Sequence, residues 1–173
     1  LNILEKFFWE FCDNYIEIVK HRLYRPEEFG ETPRYSGQKT VYTLLYKLLQ
    51  DFSIFFPFIT EEIFQELYHN NKSIHTTKIE PLNYNFEEEI KYGDKMIEII
   101  SQARGAKTNN NVSLKTPIKK LEIGVEKKLE EAISNSIKDF KATLFIEDLE
   151  TKVIDNNYEI YNIELNLEES KQA

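Results

Sequence analysis

Leu4, Phe7, Phe8, Phe11, Tyr15, Ile18, Val19 and Leu23 recur every three or four positions, which predicts a helix over roughly 2–24. Cys12 lies on the same apolar stripe, so packing is its expected role. Phe7, Phe8, Phe11, Cys12 and Tyr15 are the expected core of this helix. Pro26, Gly30, Pro33 and Gly37 then mark a connecting loop. Val41, Leu44, Leu45, Leu48, Leu49, Phe52, Phe55 and Phe56 form a second amphipathic stripe that Pro57 should stop. Thr60 is placed to cap a third helix, with Glu61 and Glu62 in its first turn and Ile63, Phe64 and Leu67 inward. A polar connection through Pro81 precedes a fourth helix, Phe86 to Ala106, carried by Ile90, Ile97 and Ile100.

After Pro117 the period changes. Leu121, Ile123 and Val125 alternate as in a strand, and Leu129, Ile133, Ile137 and Phe140 return to helical spacing. Leu144 to Leu149 and Tyr158 to Leu167 read as two more strands around a turn at Asp155-Asn156-Asn157. The predicted fold is mainly α. An antiparallel helix bundle occupies residues 1–116, and a small C-terminal α+β subdomain of β-α-β-β order occupies 117–173.

Composition adds bounds. With 41% hydrophobic residues over 173 positions, the chain can bury a proper core. Its first residue already sits in an apolar helical pattern and its only Met is Met96, so a piece cut from a longer protein is expected. No apolar run approaches membrane-spanning length, no signal-peptide pattern is present, and one Cys forms no internal disulfide. A cytoplasmic location away from membranes is therefore expected.

The net charge of −8 argues against a simple nucleic-acid binder, but the charge is uneven. Residues 101–120 hold Arg104, Lys107, Lys115, Lys119 and Lys120 and no acid. Residues 145–169 hold eight acids against Lys152, and this stretch is expected to face away from phosphate. Lys20, His21, Arg22, Arg25, Arg34 and Lys39 form a second basic cluster, partly countered by Glu27, Glu28 and Glu31. Such asymmetry allows a local RNA surface on an acidic protein.

No catalytic or metal constellation emerges. Asp13, Glu17 and His21 share a helix face, but Glu17 has the spacing of stabilising pairs with Lys20 and His21. His69 and His75 lack Cys or His partners at ligand spacing. Ser36 to Thr40 has the tail of a phosphate loop without the Gly directly before Lys39 or a preceding strand, so a polar helix start is expected there. RNA loops are read by stacking splayed bases on aromatic or Arg planes, chemistry that Arg22, Tyr24, Arg25, Arg34 and Tyr35 offer. Arg104 and Lys107, one turn apart, suit either phosphate binding or complementing the helix dipole, and both readings stay open.

The combination Phe8, Trp9, Phe11, Cys12, Asp13, Tyr15, Glu17, Lys20, Arg22 and Leu23 resembles the helix that opens the anticodon-binding domain of valyl-tRNA synthetases. Phe56-Pro57-Phe58-Ile59-Thr60-Glu61-Glu62-Ile63-Phe64 is similar to a segment shared by class I synthetases for valine, isoleucine and leucine, with Phe64 where Trp is usual. Ser73-Ile74-His75, and Ile99 to Lys107 followed by Leu114-Lys115 and Pro117-Ile118, resemble further family blocks, in family order, up to about residue 125. The resemblance implies an enzyme that activates valine with ATP and joins it to tRNA(Val). It also implies that this piece meets the anticodon stem-loop while a catalytic domain lies elsewhere in the same chain. Neither synthetase catalytic signature occurs, so the piece should hold no cofactor and be inactive alone. Lys20, Arg22, Arg25, Arg34, Tyr35, Arg104, Lys107 and Lys115 are the expected tRNA contacts. A helical protein-interaction scaffold, or the equivalent isoleucyl domain, is the alternative.

Overall fold

The computed structural model describes residues 1–68, 72–81, 85–155 and 157–167. It is mainly helical with one small sheet, and it divides into two compact units, Leu1–Tyr84 and Asn85–Ala173.

In the first unit, α1 (Asn2–Glu10) runs through a π-helical stretch, Phe11–Ile16, into α2 (Glu17–Tyr24) without a break. The wider π turn rotates the residues beyond it relative to those before. Phe11 and Val19 are buried, Phe8, Cys12 and Tyr15 only half-buried, and Phe7 exposed. The expected core stripe is thus corrected at Phe7, which is exposed on α1, a helix with no buried residue.

The loop expected around residues 26–37 is instead helix. Pro26 opens the short α3 (Pro26–Phe29), and Gly30, at φ +93°, separates it from α4 (Glu31–Phe52). Pro33 falls in the first turn of α4, where its missing N–H costs no helical bond. Gly37 lies inside α4 against α2: a Cβ there would sit 3.0 Å from Leu23 Cδ2 and 3.3 Å from Arg22 Cδ. This glycine marks a close helix approach.

Helix α4 ends at Phe52, before the expected stop, and Pro57 starts α5 (Pro57–Tyr68). Thr60 is therefore an interior residue, its hydroxyl donating to the Phe56 carbonyl at 2.8 Å. Glu61 lies beyond the first turn as well. Its carboxylate accepts from Ser73 Oγ and the Ile74 N–H, each at 2.9 Å, and from Gln65 Nε2 at 2.8 Å. It ties α5 to the 3₁₀ turn Ile74–Thr76, where Leu49, Phe64 and Ile74 pack with Leu45, Tyr46, Ile63 and Tyr68. The expected position of His69 lies outside the described residues.

The second unit comprises α6 (Glu87–Asn109), β1 (Ile118–Val125), α7 (Lys127–Asn135), α8 (Ile137–Leu144), β2 (Ile146–Val153) and β3 (Tyr158–Leu165). The sheet order is β2-β1-β3, with β1 parallel to β2 and antiparallel to β3. This is the expected strand and helix order, except that the helix breaks at Ser136. Leu121, Ile123 and Val125 of β1 are fully buried, as are Leu129, Phe140 and Leu144 of α7 and α8 and Ile99 and Ala103 of α6. Helix α6 packs on α7, α8 and β3. The compact division therefore falls at 84/85, whereas the expected one fell after 116; the difference is the placement of α6. Asn156 of the expected turn lies outside the described residues.

Candidate nucleic-acid interface

Five of the eight expected RNA contacts lie in the first unit, on the corner formed by the end of α2, α3 and the start of α4. The Gly37 approach draws α2 and α4 together there, with the Arg22 stem lying over the glycine. Arg25, at φ −125° and ψ 63°, is the non-helical residue that turns the chain from α2 into α3. Tyr24 and Tyr35, 82% and 68% exposed, present aromatic faces to solvent. Arg34 and Tyr35 sit on the first turns of α4 rather than on the expected loop, which makes them more rigidly held.

Carboxylates hold the cations of this corner. Lys20 pairs with Glu17 at 2.5 Å, Arg25 with Glu28 at 3.5 Å and Arg34 with Glu31 at 3.6 Å, all one turn apart. Across residues 17–39 five Lys and Arg face four Glu, a net charge of only +1. Exposed pairs of this kind are worth about 0–1 kcal/mol, so a phosphate can displace the carboxylate at little cost. Charge-assisted bonds from Arg to phosphate are stronger and often bidentate. The Arg34 Nε is buried without a hydrogen-bond partner.

The remaining three expected contacts lie in the second unit and do not form one basic surface. Lys107 is fully buried, its Nζ donating to the carbonyl oxygens of Leu144 at 2.7 Å and Leu114 at 3.0 Å. Burial, helped by the Arg104 guanidinium, brings its pKa down to about 8. This corrects the phosphate reading of Lys107, whose ammonium points inward; its place in the last turn of α6 agrees with the dipole reading. Lys119 pairs with Glu164 of β3, and Lys120 with Glu122 along its own strand and with Glu150 of β2. Those partners hold the Lys120 ammonium well above its ordinary range. Of the basic stretch, half-buried Arg104 and exposed Lys115 lack a carboxylate partner among the described residues.

Other candidate chemistry is quiet. Burial first and Asp13 second push the Cys12 thiol up, away from the reactive thiolate. Among the described residues, no group of three His, Cys, Asp or Glu is arranged to hold a metal, and no helix is long and apolar enough to cross a membrane. Tyr24 and Gly37 are features whose weight the sequence understated. An exposed Tyr before an Arg-Pro turn and a Gly within a polar run were the available signals.

The helical unit carries an aromatic-basic corner and, among its described residues, no group of three side chains placed to hold a metal. Residues 1–123 match the family described as the anticodon-binding domain of tRNA ligase, and the chain belongs to that family. It is similar to a valine--tRNA ligase of Rickettsia felis, 41% identical over 131 residues, covering 73% of this chain and 15% of that protein. A valine--tRNA ligase of Rickettsia prowazekii is 36% identical over 168 residues, covering 94% of this chain and 20% of that protein. One from Wolbachia pipientis wMel is 35% identical over 156 residues, covering 87% and 17%. The chain thus spans 15–20% of the length of these relatives.

Proposed function

We propose that this chain reads the anticodon stem-loop of tRNA(Val) as the anticodon-binding part of a valine–tRNA ligase. The whole enzyme would couple ATP-driven valine activation to valylation in a catalytic domain of the same polypeptide, in the cytoplasm. Alone, this part is inactive. Its mechanism is positioning: Lys20, Arg22, Arg25 and Arg34 hold backbone phosphates, and Tyr24 and Tyr35 stack on unpaired bases. Arg104 and Lys115 add phosphate contacts from the second unit. The antiparallel arrangement of the helices in the first unit belongs to the same reading. The acidic strands β2 and β3 of the second unit stay clear of phosphate.

The observation that carries this reading is the α2–α3–α4 corner, where three Arg and two exposed Tyr converge within a family of anticodon-binding domains. The names of the relatives favour valine over isoleucine. The test is binding of tRNA(Val) against an anticodon-altered tRNA(Val), at low and moderate salt. Tighter, salt-sensitive binding of the natural anticodon is expected. Equal, salt-insensitive or absent binding contradicts the proposal. In the full-length ligase, Arg22→Ala or Arg34→Ala should lower valylation with the fold intact.

A further inference from the structure

Residues 32–50, nearly the whole of α4, contain Arg34, Lys39 and Lys47 and no Asp or Glu, in a chain of net charge −8. The same stretch carries Tyr35, Tyr42 and Tyr46. Each helical residue turns by about 100°, so Tyr35, Lys39, Tyr42 and Tyr46 fall within a sector of about 60°. Gly37, which meets α2, lies on the opposite side of the helix, about 200° from Tyr35. The tyrosine face is therefore turned away from α2. Toward the end of α4 it is covered, because Tyr46 packs on Phe64 and Tyr68 of α5 at 5.7 and 5.2 Å between centroids. Toward the start it is open: Tyr35 is 68% exposed, Tyr42 is 49% exposed, and Lys39 is exposed between them.

Tyr42 is held as well as open. Tyr68 donates its hydroxyl to the Tyr42 carbonyl oxygen at 2.7 Å, and the two rings lie 4.5 Å apart between centroids. Of the three cations, Arg34 pairs with Glu31, and Lys47 donates to the Glu80 carbonyl oxygen at 2.7 Å. Lys39 has no carboxylate partner among the described residues. It stands one turn from both Tyr35 and Tyr42. Glu31, one turn before Tyr35 on this face, is already engaged by Arg34.

A cation between two exposed rings is the chemistry of single-stranded nucleic acid, in which bases stack on the rings and a linking phosphate meets the ammonium. The buried centre of a protein interface is instead depleted of Lys. From Tyr35 to Tyr42 the helix rises about 10 Å, a span that about two or three nucleotides cover, since stacked bases are about 3.4 Å apart. Arg34, on the flank of α4 between Gly37 and Tyr35, joins this face to the α2–α3–α4 corner.

We propose that Lys39 and Tyr42 form a second base-stacking subsite on α4. Tyr42 receives an unpaired base of the anticodon loop near the one on Tyr35, and Lys39 holds a phosphate between them. The proposal rests on the reading of this chain as an anticodon-binding part and extends it along the helix. Stacking tolerates every base, so the subsite adds affinity and fixes the path of the loop without choosing the anticodon.

The test uses the full-length ligase that carries this segment. Tyr42→Leu keeps an apolar contact for Tyr68 and removes the ring. It should weaken natural and anticodon-altered tRNA(Val) alike, by about tenfold, while Tyr42→Phe keeps the natural affinity. Lys39→Gln should lower the slope of log affinity against log salt by about one. A loss below about twofold in Tyr42→Leu, an equal loss in Tyr42→Phe, or an unchanged slope in Lys39→Gln overturns the proposal.

A second measurement needs no variant. In the natural ligase, hydroxyl-radical labelling of Tyr42 should fall when tRNA(Val) is added. A Tyr42 already protected without tRNA is covered by protein, and one labelled equally with tRNA meets no base; either result overturns the proposal. Arg25→Ala is measured alongside. If it weakens binding while Tyr42→Leu does not, only the subsite fails. If the natural ligase binds both anticodons alike while tRNA still protects Tyr42, only the anticodon reading fails.

Discussion

The ammonium of Lys107, on α6, donates to the carbonyl oxygen of Leu144, 37 residues further on at the end of α8, across 2.7 Å. A second bond to the Leu114 carbonyl ties in the connection to β1. One side chain thus gathers the end of α6, the following loop and the approach to β2.

Replacing Lys107 by Met keeps the apolar stem but leaves the buried Leu144 acceptor unpaired. A loss of about 1–3 kcal/mol in the stability of the second unit is expected, measured by urea unfolding at pH 7. A change within a few tenths of a kcal/mol would show that the bond is dispensable.

The same residue predicts a pH trend. In the folded chain its pKa is about 8, whereas an unfolded Lys titrates near 10.4. Between these values the unfolded chain binds more protons, so stability rises with pH over that window. Below about pH 8 the cost of the buried charge is fully present. The advantage of the natural protein over Lys107→Met should therefore widen from pH 8 to pH 10. A constant or shrinking gap would rule out the depressed value.

Gly37 reports on the α2–α4 contact. Gly37→Leu must push aside Leu23 and the Arg22 stem, and overpacking of this type costs about 1–3 kcal/mol. The gain in helix propensity, about 1 kcal/mol, offsets part of it. The variant should melt earlier and bind tRNA(Val) more weakly, because Arg22 is displaced. Unimpaired binding would separate the corner from RNA contact.

Glu61 anchors the turn after α5. Hydrogen bonds from Gln65, Ser73 and the Ile74 N–H lower its pKa, the Gln65 bond contributing most. A depressed carboxylate stabilises above its unfolded pKa, near 4.3, and that contribution fades as pH falls through the lower folded value. Glu61→Ala should expose the Ile74 amide to faster hydrogen exchange at pH 7. Its stability deficit should close on acidification below about pH 4. A deficit that persists undiminished in acid would point to packing instead.

Arg25 predicts a salt effect. If it meets phosphate, Arg25→Ala lowers the slope of log affinity against log salt by about one and weakens natural and anticodon-altered tRNA alike. Selective loss for the natural anticodon would make Arg25 a base-reading residue.

Much of the fold was legible because periodicity is local. The stripe from Leu4 to Leu23, the alternation of Leu121, Ile123 and Val125, and the β-α-β-β order all follow from side-chain spacing. Residues 26–37 misled because Pro and Gly were weighed by type, whereas their effect depends on position. Pro26 and Pro33 stand in first turns, and Gly37 faces a neighbouring helix. Of the candidate interface, the Arg and Tyr that gather at the α2–α3–α4 corner were visible in the sequence; the inward aim of Lys107 was not.

Sequence alone carried the helical stripes, the strand order and the resemblance that the family match on residues 1–123 sustains. Spacing tells which residues share a face, but not which face another element covers. Packing decided that Lys107 is interior, that Lys119 and Lys120 are engaged by β2 and β3, and that Phe7 and Ile54–Ile59 lie open. Burial is a property of contacts between segments distant in the chain, and those contacts form only when the chain is folded.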